Sequence, residues 1–160
     1  MPKLLVLVSG AAGAHSLAEA VARGASAVRF TEVSVRRLAS GPDKESPEPH
    51  LAKYRMLDAD EKLTDHDALV LVGDESGAQR LATFLDGVGP LRDQVGAVVL
   101  SPEVPAERGW PLSAALGRQG MILLSGSEDP DSLGRRAATV AGWVRHAKSH
   151  EGGTGHHHHH

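Results

Sequence analysis

Glycine, alanine and serine cluster where the first apolar run of the sequence ends. Ser9, Gly10, Ala11, Gly13 and Ser16 lie close together there. Glycine permits a tight turn and a close approach of a ligand to the backbone, and hydroxyl groups beside the amides of a helix N-terminus are suited to a phosphate. The spacing lacks the third glycine of a dinucleotide-binding fingerprint and the Lys-Ser/Thr pair of a Walker loop. The cluster therefore predicts either a phosphate-binding loop or a turn that packs a strand tightly against a helix.

Two later loops carry further candidate binding residues, which are Gly73 and Ser76 in one loop and Ser101 and Trp110 in the other. The run Gly-Asp-Glu-Ser-Gly at 73–77 misses the Gly-x-Ser-x-Gly motif of serine hydrolases by one position. A hydrolase is therefore disfavoured, and we expect Ser76 to be the N-cap of the following helix. Trp110 suits either stacking on a planar ligand or packing of its loop onto the core.

The composition excludes several kinds of site. The chain has no cysteine, and therefore neither a disulfide nor a thiolate metal site or nucleophile. A net charge of −3 with scattered Lys and Arg leaves no electrostatic footprint for nucleic acid. The apolar run at the N-terminus is too short for a signal peptide or a membrane span, so we expect no membrane insertion and a cytoplasmic location. His146 and His150 share a helix face, but no third ligand is evident, and no metal site is predicted.

Short apolar runs and helical periodicity predict the elements that position these loops. Continuous apolar runs predict parallel strands at 4–8, 68–72, 95–100 and 121–124, of which the first three are buried. An alternating run predicts an edge strand at 32–38. Five strands that alternate with helices predict a parallel α/β sheet with helices on both faces. In such a sheet ligands bind beyond the carboxyl ends of the strands. Those ends are followed by the loops 9–15, 73–78, 101–110 and 125–128.

The chain of 160 residues is predicted to form one domain. That domain covers residues 1–150, and residues 151–160 are a linker and a histidine tag. Residues 39–49 are rich in proline and charge and predict a loop. Leu51, Tyr54 and Leu57 then predict a short helix. No role is predicted for the segment 39–62.

Several short runs along nearly the whole untagged chain carry a family resemblance. They lie at residues 1–7, 20–25, 32–38, 65–70, 83–86 and 116–122. In these runs, and in their order, the sequence resembles the flavodoxin-like NAD(P)H:quinone oxidoreductases of the WrbA type. The resemblance implies a flavodoxin-like three-layer sandwich with a five-stranded parallel sheet in the order 2-1-3-4-5. It also implies FMN as the cofactor and a homo-oligomer, either a dimer or a tetramer.

The departures from this family fall on its FMN-binding loops. Ser9 and Ser16 match the first loop, but two alanines replace the family's tyrosine and glycine. The second loop holds only residues 74–77, and it lacks the family's proline-threonine and arginine-phenylalanine-glycine-asparagine runs. The third loop, 101–109, lacks the serine-threonine-glycine run, and Gln119 stands where the family has a histidine. The resemblance therefore covers the strands and helices of the family, whereas most of the family's FMN-binding residues are replaced.

Two functions remain open from the resemblance. In the first, the protein is an FMN-binding quinone-type oxidoreductase that binds FMN weakly. Ser9, Gly10, Gly13 and Ser16 would hold the phosphate, and Trp110 would cover the ring. In the second, the protein is a non-catalytic flavodoxin-fold relative that has lost FMN and serves oligomerisation or partner binding.

Overall fold

The strand at Lys3–Ser9 lies inside the sheet and is buried on both faces. The computed structural model describes residues 1–38, 54–58, 62–124 and 129–155. Within these residues the strands are β1 (Lys3–Ser9), β2 (Glu32–Arg37), β3 (Arg55–Met56), β4 (Ala68–Gly73), β5 (Val95–Leu100) and β6 (Ile122–Leu123). They form one parallel sheet in the order β3-β2-β1-β4-β5-β6. β1 and β4 are buried along almost their whole length because helices cover both of their faces.

Helices pack on both faces of this sheet. They are α1 (Ala12–Ser26), α2 (Glu75–Asp86), α3 (Trp110–Arg118) and α4 (Pro130–Gly155). α1 and α4 cover one face, where Leu4, Val6 and Val8 belong to the core. α2 and α3 cover the other, where Leu5 and Leu7 are buried. The result is a three-layer α/β fold that is consistent with a flavodoxin-like architecture.

The predicted five-strand sheet in the order 2-1-3-4-5 is wrong by one strand. Arg55 and Met56 pair in parallel with Arg36 and Arg37 of β2 and add β3 at the edge. The Arg37 side chain supports this pairing, because its Nε donates to the carbonyl of Tyr54 at 3.0 Å. β3 is too short and too exposed to show an apolar pattern. The other five strands keep the predicted order.

The helix predicted from Leu51, Tyr54 and Leu57 is wrong where the structure describes it, because β3 lies there. Leu51 itself is outside the described residues, as is most of the segment 39–62. α4 continues to Gly155, through the stretch assigned to the linker. Within the described residues no helix combines the length and apolar character needed to cross a bilayer.

Candidate functional site

The carboxyl ends of β1, β4 and β5 meet on one side of the sheet. Ser9 pairs with Gly73, and Gly73 pairs with Leu100, so the three strands end at the same level. The order of the strands reverses between β1 and β4, and ligands bind beside such a switch in open α/β sheets. We call this surface the rim, and it consists of residues 9–16, 73–77 and 101–110. The fourth predicted loop, 125–128, lies outside the described residues.

The turn from β1 into α1 depends on glycine. Gly10 has a φ of +134°, in the region that side chains rarely adopt. Ala11 is the N-cap of α1 and makes no side-chain cap, and the first turn of this helix contains no acidic residue. The N-terminus of α1 therefore receives no anion from its own sequence.

An acidic side chain that directly follows β4 supplies an anion to the N-terminus of α1. The Asp74 carboxylate lies beside this turn, and its Oδ2 accepts a hydrogen bond from the Ala11 amide at 2.8 Å. Its Oδ1 accepts from the Gly77 amide at 2.9 Å and from the Ser76 hydroxyl at 3.1 Å. The prediction that Ser76 is the N-cap of α2 is wrong. Asp74 is the cap, because its carboxylate reaches the Gly77 amide from the position just before the helix.

Several groups keep Asp74 charged. Burial works against the carboxylate and favours its neutral form. The hydrogen bonds from Ala11, Gly77 and Ser76, together with the nearby positive charge of Arg80, outweigh burial and hold the pKa of Asp74 below its ordinary value. At neutral pH the rim therefore contains a fixed negative charge.

Two buried hydroxyl groups at the rim have no partner in the described part of the chain. Ser9 and Ser101 are each 2% exposed, and the Oγ of each lacks a hydrogen bond there. A Cβ placed on Gly13 would lie 3.3 Å from the Ser101 Oγ, so this hydroxyl faces the first turn of α1. An unsatisfied buried polar group costs about 1–3 kcal/mol. Such groups at a strand-end rim are candidate contacts for a ligand.

The other predicted binding residues differ in burial. Gly73 is buried at the end of β4, whereas Gly13 and Ser16 are exposed on α1. Trp110, the first residue of α3, is 69% exposed. This exposure removes the alternative in which Trp110 packs into the core. The indole is free to cover a ligand.

Two carboxylates lie close to the start of α1. Besides Asp74, the Glu103 carboxylate approaches this helix, with its Oε1 4.0 Å from the position of a Cβ on Gly13. Glu75 is paired with Arg108 at 3.2 Å, so the positive charge of Arg108 is compensated. The start of α1 therefore lies beside two carboxylates, those of Asp74 and Glu103.

The residues present do not fit the phosphate of FMN. The Ala11 amide already has an acceptor, and the Asp74 carboxylate would lie against the phosphate. Like charges about 4 Å apart near a protein surface repel by about 4 kcal/mol. A hydrogen bond to a charged group returns only about 1.5–3 kcal/mol. The ring part of a flavin is uncharged, and it meets no such conflict with Ser9, Ser101 or Trp110.

The sequence does not predict a cavity of about 510 Å³ that lies on the α2 side of the sheet. It lies away from the rim, near the C-terminal end of α2, and Leu38, Leu57, Leu63, Phe84 and Leu91 are among its lining residues. Its volume is in the range of small-molecule pockets. The lining comes from separate segments that meet only after folding, so no local pattern in the sequence marks it.

His15 and Gln119 also have partners in the described part of the chain. His15 pairs with Glu19 at 3.4 Å and contacts the ring of Tyr54. The Gln119 amide donates to the Val88 carbonyl at 3.0 Å, at the end of the sheet opposite the rim. The described residues contain no group of three or more His, Cys, Asp or Glu that could hold a metal ion.

Comparison with known proteins gives weak likenesses. No protein-family model and no curated protein matches the chain. The fold is similar to the crystal structure of HAL3 from Cryptococcus neoformans, with a TM-score of 0.49 and 10% identity over 92% of this chain and 98% of that chain. It is also similar to a dodecameric FMN-dependent UbiX-like decarboxylase from Escherichia coli O157:H7, with a TM-score of 0.39 and 15% identity over 87% of this chain and 91% of that chain. At these scores the likenesses assign neither a family nor a function.

Proposed function

We propose that the chain is a flavodoxin-like protein that binds an uncharged planar ligand of the flavin or quinone class at the rim. The observation that carries this proposal is the pair of buried, unpartnered hydroxyls of Ser9 and Ser101 beside the strand-order switch. The sequence resemblance to quinone oxidoreductases supports the class of ligand. Because the Asp74 carboxylate conflicts with the phosphate of FMN, we propose an uncharged ring as the ligand.

Six residues of the rim have distinct parts in this proposal. Gly10 lets the Asp74 carboxylate lie against the backbone at the end of β1, and Gly73 lets Leu81 of α2 pack against the end of β4. The Ser9 and Ser101 hydroxyls hydrogen-bond polar atoms at the margin of the ring. Trp110 stacks on the ring face, and an aromatic pair of this kind contributes about 0.5–1.5 kcal/mol. Ser76 acts indirectly, because its hydroxyl holds Asp74.

A fluorescence titration with riboflavin tests this function, because riboflavin has the flavin ring without the phosphate. We expect saturable quenching, and we expect FMN to bind more weakly than riboflavin. Ser101→Ala lowers the affinity for riboflavin, whereas Ser132→Ala, an exposed serine on α4, does not. Absence of riboflavin binding up to roughly 100 µM, a binding free energy of about −5.5 kcal/mol, would overturn the proposal. If riboflavin binds, quinone reduction by NAD(P)H is then assayed with the riboflavin-loaded protein.

A second candidate function is non-catalytic oligomerisation or partner binding. The exposed side chains of Trp143 on α4 (67%) and of Ile122 and Leu123 on β6 (39% and 41%) favour it. Large apolar groups of this kind are enriched at protein interfaces. Sedimentation at micromolar concentration tests it, with a dimer or tetramer expected. We expect Trp143→Ser to shift the chain toward the monomer, and an unchanged sedimentation coefficient would contradict a role of Trp143 in the interface.

A further inference from the structure

The turn between β1 and α1 binds an anion that belongs to the chain itself, the carboxylate of Asp74. Asp74 lies far from Ala11 in sequence, yet its carboxylate accepts the Ala11 amide at 2.8 Å. The register that pairs Ser9 with Gly73 brings the two turns side by side. An amide at the start of a helix is an ordinary site for an external anion. In this protein a side chain from the next turn fills that position.

The carboxylate is fixed in place from both sides. Oδ1 is held by the Gly77 amide at 2.9 Å and by the Ser76 hydroxyl. A Cβ on Gly10 would lie 2.5 Å from the same oxygen, so the carboxylate rests directly against the backbone of the turn. An external anion could reach the Ala11 amide only if Asp74 moved away and gave up its bonds to α2.

The rim nevertheless retains groups that require a partner. Ser101 is 2% exposed, and its unpartnered Oγ faces Gly13 in the first turn of α1. The Ser9 hydroxyl is equally buried and unpartnered within the described residues. Both hydroxyls can donate or accept, so they suit an uncharged polar group. The site therefore combines unused neutral hydrogen-bonding groups with an anion position that is already filled.

We propose that Asp74 determines the charge class of the ligand: its carboxylate takes the anion position of the first turn, so that the rim excludes phosphorylated ligands and accepts uncharged ones. The exclusion of anions stands on the geometry of Asp74 alone. The preference for an uncharged ligand rests on the proposed function. A purely structural role for Asp74, as the cap of α2, predicts no effect on anion binding.

Inorganic phosphate is the probe for the first part of this proposal. The full chain, labelled with ¹⁵N, is titrated with phosphate, and the amide signals of Ala11 and Gly13 are followed. We expect no saturable shift in the wild-type protein. In Asp74→Asn, which keeps a capping side chain, we expect saturable shifts and an affinity at least about tenfold higher. Equal phosphate binding in the two proteins, or no binding in Asp74→Asn, would overturn the proposal.

The chain offers a matched control on the same helix. Asp86 is exposed at the opposite end of α2, and Asp86→Asn makes the same change in net charge. We expect Asp86→Asn to behave as the wild type, so a gain of phosphate binding there would contradict a local role for Asp74. Asp74→Ser is a second neutral variant with a good capping residue, and it decides the outcome if Asp74→Asn does not fold.

Flavin titrations separate this proposal from the proposed function. We expect the ratio of FMN to riboflavin affinity to rise by about tenfold from wild type to Asp74→Asn. If riboflavin binds but this ratio is the same in both proteins, the role of Asp74 is wrong and the proposed function stands. If neither flavin binds but Asp74→Asn gains phosphate binding, the proposed function is wrong and the role of Asp74 stands.

Discussion

The two helices that start at the switch between β1 and β4 receive their N-terminal anion in different ways. α2 carries its own cap, Asp74, and a further acidic residue in its first turn. α1 has neither, and Ala11 stands at its cap position. Asp74 bonds to both helix starts, so one carboxylate serves two turns. The comparison shows that an amide in a turn whose residues suit phosphate binding can instead donate its hydrogen bond to a side chain of the neighbouring turn.

The largest change in stability is expected from a substitution at the start of α2, where the helix packs tightly against the end of β1. A Cβ on Gly77, in α2, would overlap the carbonyl oxygen of Ser9, which is backbone and cannot give way. We expect Gly77→Ala to lower the free energy of unfolding by about 3 kcal/mol, measured by urea denaturation. In α1, a Cβ on Gly13 would meet two rotatable side chains, with the Ser101 Oγ at 3.3 Å and the Glu103 Oε1 at 4.0 Å.

Gly13→Ala is therefore the control for this prediction. We expect its free energy of unfolding to lie within about 1 kcal/mol of the wild type, because alanine also favours the helix. Equal losses in the two variants would show that the two helices pack against the strand ends alike. The comparison between them would then be wrong.

Removal of the shared carboxylate gives the next effect. Asp74→Ala deletes the cap of α2 and leaves the Ala11 amide without its acceptor. We expect a loss of about 1–2 kcal/mol in the free energy of unfolding. Asp74→Asn should lose less, because asparagine is a good capping residue. An Asp74→Ala protein as stable as the wild type would mean that the carboxylate holds neither turn.

The charge of Asp74 also predicts how stability depends on pH. The folded state lowers the pKa of this carboxyl, so the unfolded chain takes up the proton first as the pH falls. The stabilisation is complete above the ordinary pKa, which is about 3.9, and it is lost as the pH drops through the lower pKa of the folded state. The difference in Tm between wild type and Asp74→Asn should be constant from about pH 5 to 8 and should change only below about pH 4. A change near neutral pH would contradict this assignment.

The smallest effect on stability is expected at the unpartnered hydroxyls. Ser101→Ala removes a buried group that has no hydrogen bond within the described residues. We expect the free energy of unfolding to stay the same or to rise by up to about 1 kcal/mol. A clear loss of stability would show that the hydroxyl has a structural partner. Its proposed role as a ligand contact would then lose its basis.

The sequence predicts five of the six described strands, and the one that it misses is β3. β1, β4 and β5 are continuous apolar runs, which only a buried strand requires. β3 consists of Arg55 and Met56, and their extended form follows from pairing with β2 and from the Arg37 bond to Tyr54. Such a contact between distant segments leaves no periodicity in the local sequence.

The position of the rim could be predicted, but its chemistry could not. Ser9, Gly73 and Ser101 follow apolar strands, so their convergence is a consequence of parallel topology. The sequence also placed the acidic residues Asp74 and Glu75 in the second loop. It could not show that Asp74 bonds to Ala11, because this contact depends on the register between β1 and β4. The burial of the Ser9 and Ser101 hydroxyls likewise depends on how α1 and α2 start.

A titration of the ¹⁵N-labelled chain with riboflavin tests the central claim most directly, because it reports affinity and location together. We predict saturable shifts confined to the amides of the rim, at 9–16, 73–77 and 101–110. The absence of saturable shifts, or shifts centred on Leu38, Phe84 and Leu91 at the 510 Å³ cavity, would contradict the assignment of the ligand site to the rim.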